Sequence, residues 1–206
     1  LFAFLFGLLS VILAYILSKI GRGNSTLSMV LSGIMIGSLF TSMTSFIKLI
    51  ADTNSVLPQI TYWLMGSLSS IKKADIFFLL PITVICMLPI LLLRWRINLL
   101  TTGDFDARSM GVNVKLTKFI IIICATLLTA SCVAVSGMIG FVGLVIPHFA
   151  RRIFGYDYRR VLPASILLGS TFLMLTDDIA RTLTTSEIPL GILTSFVGVP
   201  VFIYLI

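Results

Sequence analysis

The chain has 206 residues, 58% of them hydrophobic and 11% charged, against about 25% charged in ordinary soluble domains. Its mean hydropathy is +1.11 and its formal net charge +7. A soluble core of this length does not hide so much apolar surface, which leaves a membrane protein; the basic residues sit in short gaps between apolar runs and form no stripe, which argues against nucleic acid.

Two apolar runs open the chain, Leu1–Leu17 and Leu27–Ile47. The connection Lys48–Asp75 is longer than needed, and from Leu57 it is apolar enough to fold back as a short interfacial helix. Tyr62 and Trp63 suit headgroup level there. A third run is Ile76–Leu93. After it, Asn98–Lys118 holds the only substantial polar island, where Asp104 and Asp106 near a helix start and Gly111 as its stop predict a short surface helix. Further runs follow at Phe119–Val135, about Ser136–Phe154, Val161–Leu175 with a polar extension toward Ile179, and Leu190–Ile206. The chain starts and ends inside apolar runs, which reads as a piece of a longer protein.

Charge orients the runs. If all seven cross, one side holds eleven basic residues: Lys19, Arg22, Arg94, Arg96, Arg108, Lys115, Lys118, Arg151, Arg152, Arg159 and Arg160. The other side holds four: Lys48, Lys72, Lys73 and Arg181. If Ser136–Phe154 only dips in and returns, the split becomes seven to eight. The positive-inside rule therefore favours seven crossings, with the basic side and the C-terminus cytoplasmic.

The fifth run is the unusual one: Ser136-Gly137-Met138-Ile139-Gly140-Phe141-Val142-Gly143-Leu144-Val145-Ile146-Pro147-His148. Glycines let backbones approach and proline frees a carbonyl. Irregular backbone survives at membrane depth only inside protein or beside a water-filled path. The segment predicts a packed polytopic bundle. Cys86, Cys124 and Cys132 lie in apolar runs without a C-x-x-C pair and read as free thiols. No phosphate-binding G-x-x-x-x-G-K-[ST], H-E-x-x-H or G-x-S-x-G occurs, so no ATP binding, catalysis, cofactor or metal site is expected in this chain.

Several blocks carry a resemblance. They are Leu31-Ser32-Gly33-Ile34, Trp63-Leu64-Met65-Gly66-Ser67, Asn98-Leu99-Leu100, Gly103-Asp104-Phe105-Asp106-Ala107-Arg108-Ser109-Met110-Gly111-Val112, the glycine segment, Asp178-Ile179-Ala180-Arg181, Glu187-Ile188-Pro189-Leu190-Gly191 and Gly198-Val199-Pro200-Val201-Phe202. Their order and spacing resemble the permease subunits of bacterial ABC importers for iron-siderophores, haem and cobalamin, the FecCD type. Asp104–Asp106 departs from the usual glutamate and small residue, and Met138 from the usual proline or alanine.

The resemblance implies an all-α polytopic membrane protein: one transmembrane permease domain over 1–206, representing the last seven helices of a ten-helix type II importer bundle. It places the chain in the bacterial cytoplasmic membrane. Its implied partners are a second permease subunit, a cytoplasmic ATPase dimer, an extracytoplasmic substrate-binding protein and the lipid bilayer, with no nucleic acid. The implied cargo is a ferric siderophore or related iron chelate, with haem or cobalamin as the alternative. The loop 98–118 corresponds to the ATPase-coupling loop, through Gly103, Asp104, Asp106, Ala107, Arg108 and Gly111. Arg181 matches a docking arginine for the binding protein; an ion pair with Asp177 or Asp178 is its alternative. The loop 21–26 corresponds to a cytoplasmic gate, with Ser25 and Thr26 as gate positions. Gly33, Gly37, Trp63, Met65 and Gly66 are pathway candidates, the two helical glycines having helix packing as their ordinary role. Gly140, Gly143, Pro147 and His148 belong to the structural motif. Two rivals are a zinc/manganese ABC permease and an intramembrane enzyme, which would need a catalytic pair at membrane depth where the chain has only the neighbours Asp177 and Asp178.

Overall fold

The computed structural model describes residues 2–20, 25–183 and 187–205, and every element in it is helical. In chain order these are α1 Phe2–Ile20, α2 Ser25–Ile50, α3 Val56–Met65, α4 Lys73–Leu92, α5 Arg94–Leu100, α6 Asp104–Ser109, α7 Val114–Ser136, α8 Val142–Phe154, α9 Tyr158–Thr182 and α10 Leu190–Leu205. The expected interfacial helix is α3. The expected surface helix is α6.

Among the described residues, five helices are long and apolar enough to cross a membrane: α1, α2 from Leu27, α4, α7 and α9. The seven runs read from sequence exceed this because two of them make shorter helices. Helix α8 has 13 residues, about 20 Å at 1.5 Å per residue. Helix α10 has 16, or about 24 Å. The shortening of α8 has a local cause. Gly137 at φ +70° and Phe141 at φ +64° leave the right-handed helical region, so α7 stops at Ser136 and α8 begins only at Val142.

Hydrogen bonds and close approaches sort the helix ends into two layers. At one end the N-terminus of α9 meets α5, where the Tyr158 N–H donates to Asn98 Oδ1 at 3.4 Å. The base of α7 lies there too, through Lys118 and Asp104 at 2.7 Å. We call this the basic end, since Arg94, Arg96, Arg108, Lys115, Lys118, Arg159 and Arg160 sit on these elements. At the opposite end the Ser67 N–H donates to the Ser136 carbonyl at 2.9 Å and the Leu190 N–H to the Gly66 carbonyl at 2.9 Å. The Ile188 N–H reaches the Ala180 carbonyl at 3.4 Å, which brings the end of α9 to the same layer. Helix α1 runs antiparallel to α7: Gly7 lies against Ala130, and Tyr15 shares a groove with Phe119. The segment between Ser136 and Tyr158 therefore starts in one layer and finishes in the other.

Few residues are fully buried. Small side chains fill the tight contacts, among them Ala130, Ser131, Ala150, Ala180 and Thr194. Helix α1 fully buries no residue, and many of its apolar side chains, among them Phe2, Phe6, Ile12 and Ile16, are exposed, as expected where lipid or protein is the surrounding medium.

Candidate functional site

At the basic end, α6 is a single-turn helix set on a small core. Gly103, at φ +119°, turns the chain into it, and Gly111, at φ +82°, turns the chain out. Between them Ala107 is completely buried and packs with Val112, Val114, Leu99 and Leu100. The Val112 N–H donates back to the Ala107 carbonyl at 3.0 Å. The Asn113 side chain then caps α7 by accepting from the Leu116 N–H at 3.1 Å. Asp104 and Asp106 stand in the first turn of α6 and Arg108 in its last, each favourable to the helix dipole.

Side-chain placement separates these residues. Asp104 is already held within the chain: both its oxygens accept from Lys118 Nζ at 2.7 Å. Asp106 and Arg108 are exposed. Phe105, which sequence reasoning passed over, is 82% exposed, and Met110, at the C-terminal end of α6, is 53% exposed. An exposed aromatic flanked by charges on a rigid turn has the make-up of an anchor for a protein partner.

At the opposite end three glycines bring three backbones together. Gly66 ends α3 at φ +72°, Gly137 follows α7 at φ +70°, and Gly191 lies in the first turn of α10. A Cβ on Gly66 would stand 2.6 Å from the Met138 carbonyl oxygen. A Cβ on Gly137 would meet the Trp63 carbonyl oxygen, and one on Gly191 the Met65 carbonyl oxygen, both inside contact distance. No side chain fits at this junction. Gly66 was a sequence candidate; Gly137 and Gly191 were visible only as letters of longer motifs.

Beside the junction lies a cavity of about 690 Å³, bounded by Leu64, Met65, Met138, Gly140, Ser195 and Phe196, with no charged side chain in its wall. It joins Met65 and Gly140 from two separate sequence blocks. Gly33 and Gly37 do not share it. They line another groove of about 500 Å³ between α1 and α2, with Phe6, Ser10, Met29 and Phe40. A Cβ on either glycine would meet nothing within 4 Å, so neither packs tightly against a described residue. Trp63 and Tyr62 are 43% and 45% exposed, in keeping with an interfacial α3.

Arg181 sits in the last turn of α9, where its Nε donates to Asp177 Oδ2 at 2.9 Å. The local pair held as the alternative to docking is thus formed with Asp177, and Asp178 is not its partner in that bond. His148 stands edge-on to Phe202 with ring centroids 6.1 Å apart, and Pro147 precedes it inside α8. A Cβ on Gly143 would meet nothing within 4 Å. Among the described residues no group of three metal-ligating side chains converges. Of the gate positions, residues 21–24 lie outside the described residues; Ser25 and Thr26 open α2, and their side chains lie outside the description.

The whole of residues 1–206 matches the model of the FecCD transport family. The chain belongs to that family. A molybdate import system permease protein of Haemophilus influenzae is 36% identical over 198 residues, covering 96% of this chain and 59% of its own length. The Fe(3+) dicitrate transport system permease protein of Escherichia coli is 36% identical over 179 residues, covering 86% of this chain and 53% of its own. A solved structure, described as an inward-facing conformation of a metal-chelate type ABC transporter, superposes with a TM-score of 0.92 at 35% identity. That match covers 98% of this chain and 64% of the other. The chain thus spans less than two thirds of the length of these relatives.

Proposed function

We propose that this chain is the membrane-spanning permease of an ABC importer, carrying a ferric siderophore or related iron chelate and driven by a separate ATPase. The FecCD family match along residues 1–206 carries this reading. Geometry supports it at both ends. The basic end presents a rigid α6 with an exposed Phe105, suited to seat on an ATPase. The opposite end presents Arg181 and the glycine junction, suited to receive a binding protein. In this reading the basic end and the C-terminus are cytoplasmic, a second permease subunit closes the pathway, and the assembly lies in the bacterial cytoplasmic membrane. The chain itself hydrolyses nothing.

Seven crossings fit this assembly. Helix α8 supplies about 20 Å, so the non-helical residues Gly137 to Phe141 need supply only about 10 Å more, well within their reach. Together they match a hydrocarbon core of about 30 Å.

The apolar wall of the 690 Å³ cavity favours a large organic chelate over a bare ion, which would need charged or chelating side chains there. Haem and cobalamin are the alternatives of the same class. The zinc/manganese reading is weaker for the same reason. An intramembrane enzyme is weaker still, because Asp177 is engaged by Arg181.

The test is uptake into proteoliposomes holding the full transporter with its ATPase and binding protein. ATP-dependent accumulation of a radioactive ferric chelate, with no accumulation of zinc, is expected. Accumulation of free zinc and not of the chelate would overturn the cargo class.

A further inference from the structure

We propose that α7 is the strut that carries motion from the coupling helix α6 to the three-glycine junction at the other end, with Lys118 as the residue that positions α6 on it. The proposal rests on the reading of α6 as the ATPase-contacting element. Its first support is composition. Among the described helices longer than α5, only α7 contains neither glycine nor proline. Helix α1 has Gly7, α2 has Gly33 and Gly37, α3 has Pro58, α4 has Pro81 and Pro89, α8 has Gly143 and Pro147, α9 has Pro163 and Gly169, and α10 has Gly198 and Pro200. Proline and glycine are where helices kink. Helix α7 is therefore the stiffest long element, and its 23 residues extend about 35 Å.

The second support is what holds each end. At the base, Lys118 grips both carboxylate oxygens of Asp104 at 2.7 Å across fourteen positions of sequence. The small core under Ala107 includes Val114, the first residue of α7, so α6 and the base of α7 form one packed unit. Thr117 is buried on the next turn. At the far end, the carbonyl of Ser136, the last residue of α7, accepts from the Ser67 N–H beside Gly66. Gly137, the next residue, lies against the Trp63 carbonyl and the Gly66 backbone. Backbone contacts without intervening side chains leave little slack. A displacement of α6 is thus passed to α3 and the start of α10 through one unbroken helix. Lys118 lies half-exposed in this arrangement, and its pair with Asp104 is the only ion pair joining α6 to another helix among the described residues.

Two spin-label distances test this in the assembled transporter in nanodiscs, with native cysteines other than the labelled ones replaced by alanine. The first pair is Ser109→Cys on α6 and native Cys132, exposed near the far end of α7. This distance should be the same with ATP and with ADP. In Lys118→Ala it should broaden, and the swapped pair Asp104→Lys with Lys118→Asp should restore it. The second pair, Ser45→Cys and Ser69→Cys, reports movement of α2 against the junction. It should shift between nucleotides in the wild type. In Lys118→Ala, and in the softened strut Ala125→Gly with Thr129→Gly, the shift should fall to about half or less, the scale on which a part-exposed ion pair biases a two-state element. A nucleotide-dependent change of about one helical turn, 5 Å, in the first pair would overturn the proposal. So would a second-pair shift that is absent in the wild type or unchanged in the variants. The first pair measured in the chain alone needs no ATPase. Failure of the permease reading, seen as no ATPase binding, is thereby distinguished from failure of the clamp.

Discussion

Gly137→Ala tests the glycine junction most directly. The substitution forces an L side chain to φ +70°, ψ −163°, a region essentially reserved for glycine, which costs about 1–3 kcal/mol. The new methyl also meets the Trp63 carbonyl oxygen and stands 3.1 Å from the Gly66 Cα, so backbone and not a flexible side chain must give way. Overpacking of this kind costs about 1–3 kcal/mol. The expected loss is about 2–6 kcal/mol, more if the Ser67–Ser136 hydrogen bond parts as well. Gly191→Ala separates the two contributions. Its methyl meets the Met65 carbonyl, but its backbone is not left-handed, so steric cost alone, about 1–3 kcal/mol, is expected. Gly33→Ala is the reference. Its methyl meets nothing within 4 Å, and alanine gains up to about 1 kcal/mol of helix propensity. Equilibrium unfolding in mixed micelles, followed as detergent composition is varied, should rank the three with Gly137→Ala lowest and Gly33→Ala at or above wild type. A Gly191→Ala protein as stable as wild type, or a Gly33→Ala protein as damaged as Gly137→Ala, would refute the reasoning.

Four further outcomes follow from the geometry. Phe105→Ala should weaken ATPase binding to the reconstituted permease about tenfold or more, as loss of an aromatic anchor does; an unchanged dissociation constant would remove Phe105 from the interface. Asp106→Lys should impair ATPase coupling and be rescued by a charge change on the ATPase, whereas Asp104→Lys should be rescued within the chain by Lys118→Asp. Arg181→Glu should weaken binding-protein docking about fivefold or more at low salt and less at high salt, while Asp177→Asn, which frees Arg181 without removing its charge, should leave docking intact; equal losses in both would reduce Arg181 to its local pair. A cysteine at Arg159 in a cysteine-free background should resist an impermeant maleimide added to intact cells, and ready labelling would place the basic end outside.

Much of this was legible in the sequence because membrane helices declare themselves by long apolar composition, and α1, α2, α4, α7 and α9 all fall on runs read that way. The surface helix was legible because Asp104 and Asp106 suit the start of a turn of helix and Gly111 its stop. The Arg181–Asp177 pair was legible because four residues bring side chains to one helix face. What escaped is long-range or conformational. Lys118 and Asp104 are fourteen residues apart on different helices, and no local pattern joins them. Helix patterns do not disclose that Phe141 adopts a left-handed backbone, which fixes where α8 begins. Gly33 and Gly37, spaced as a packing pair, face an open groove instead, since spacing says which residues share a face and not what lies opposite.

The shortness of α8 and the glycine junction are two sides of one physical problem. The break between α7 and the 13-residue α8 leaves the stretch from Met138 to Gly140 outside helical hydrogen bonding. In hydrocarbon each bare backbone group would cost several kcal/mol. The chain answers by importing partners. At the top of the stretch, Ser67 donates to the Ser136 carbonyl, and Gly137 still donates back to Val133. At its foot, the Val142 N–H turns onto the Gly140 carbonyl at 2.8 Å, and the Leu144 and Val145 N–H groups share the Phe141 carbonyl. The cavity bounded by Met138 and Gly140 lies beside the remainder. Close approach of α3 and α10 supplies this cover, and only glycine at 66, 137 and 191 permits that approach. The left-handed Phe141 is tolerated for the same reason, wedged against Gly198, where a Cβ would stand 2.7 Å from its own. An uninterrupted helix over residues 136–154 would satisfy its own backbone and would need none of these glycines. Its broken form therefore marks a place where close packing of backbones, and not simple membrane anchoring, shapes the chain.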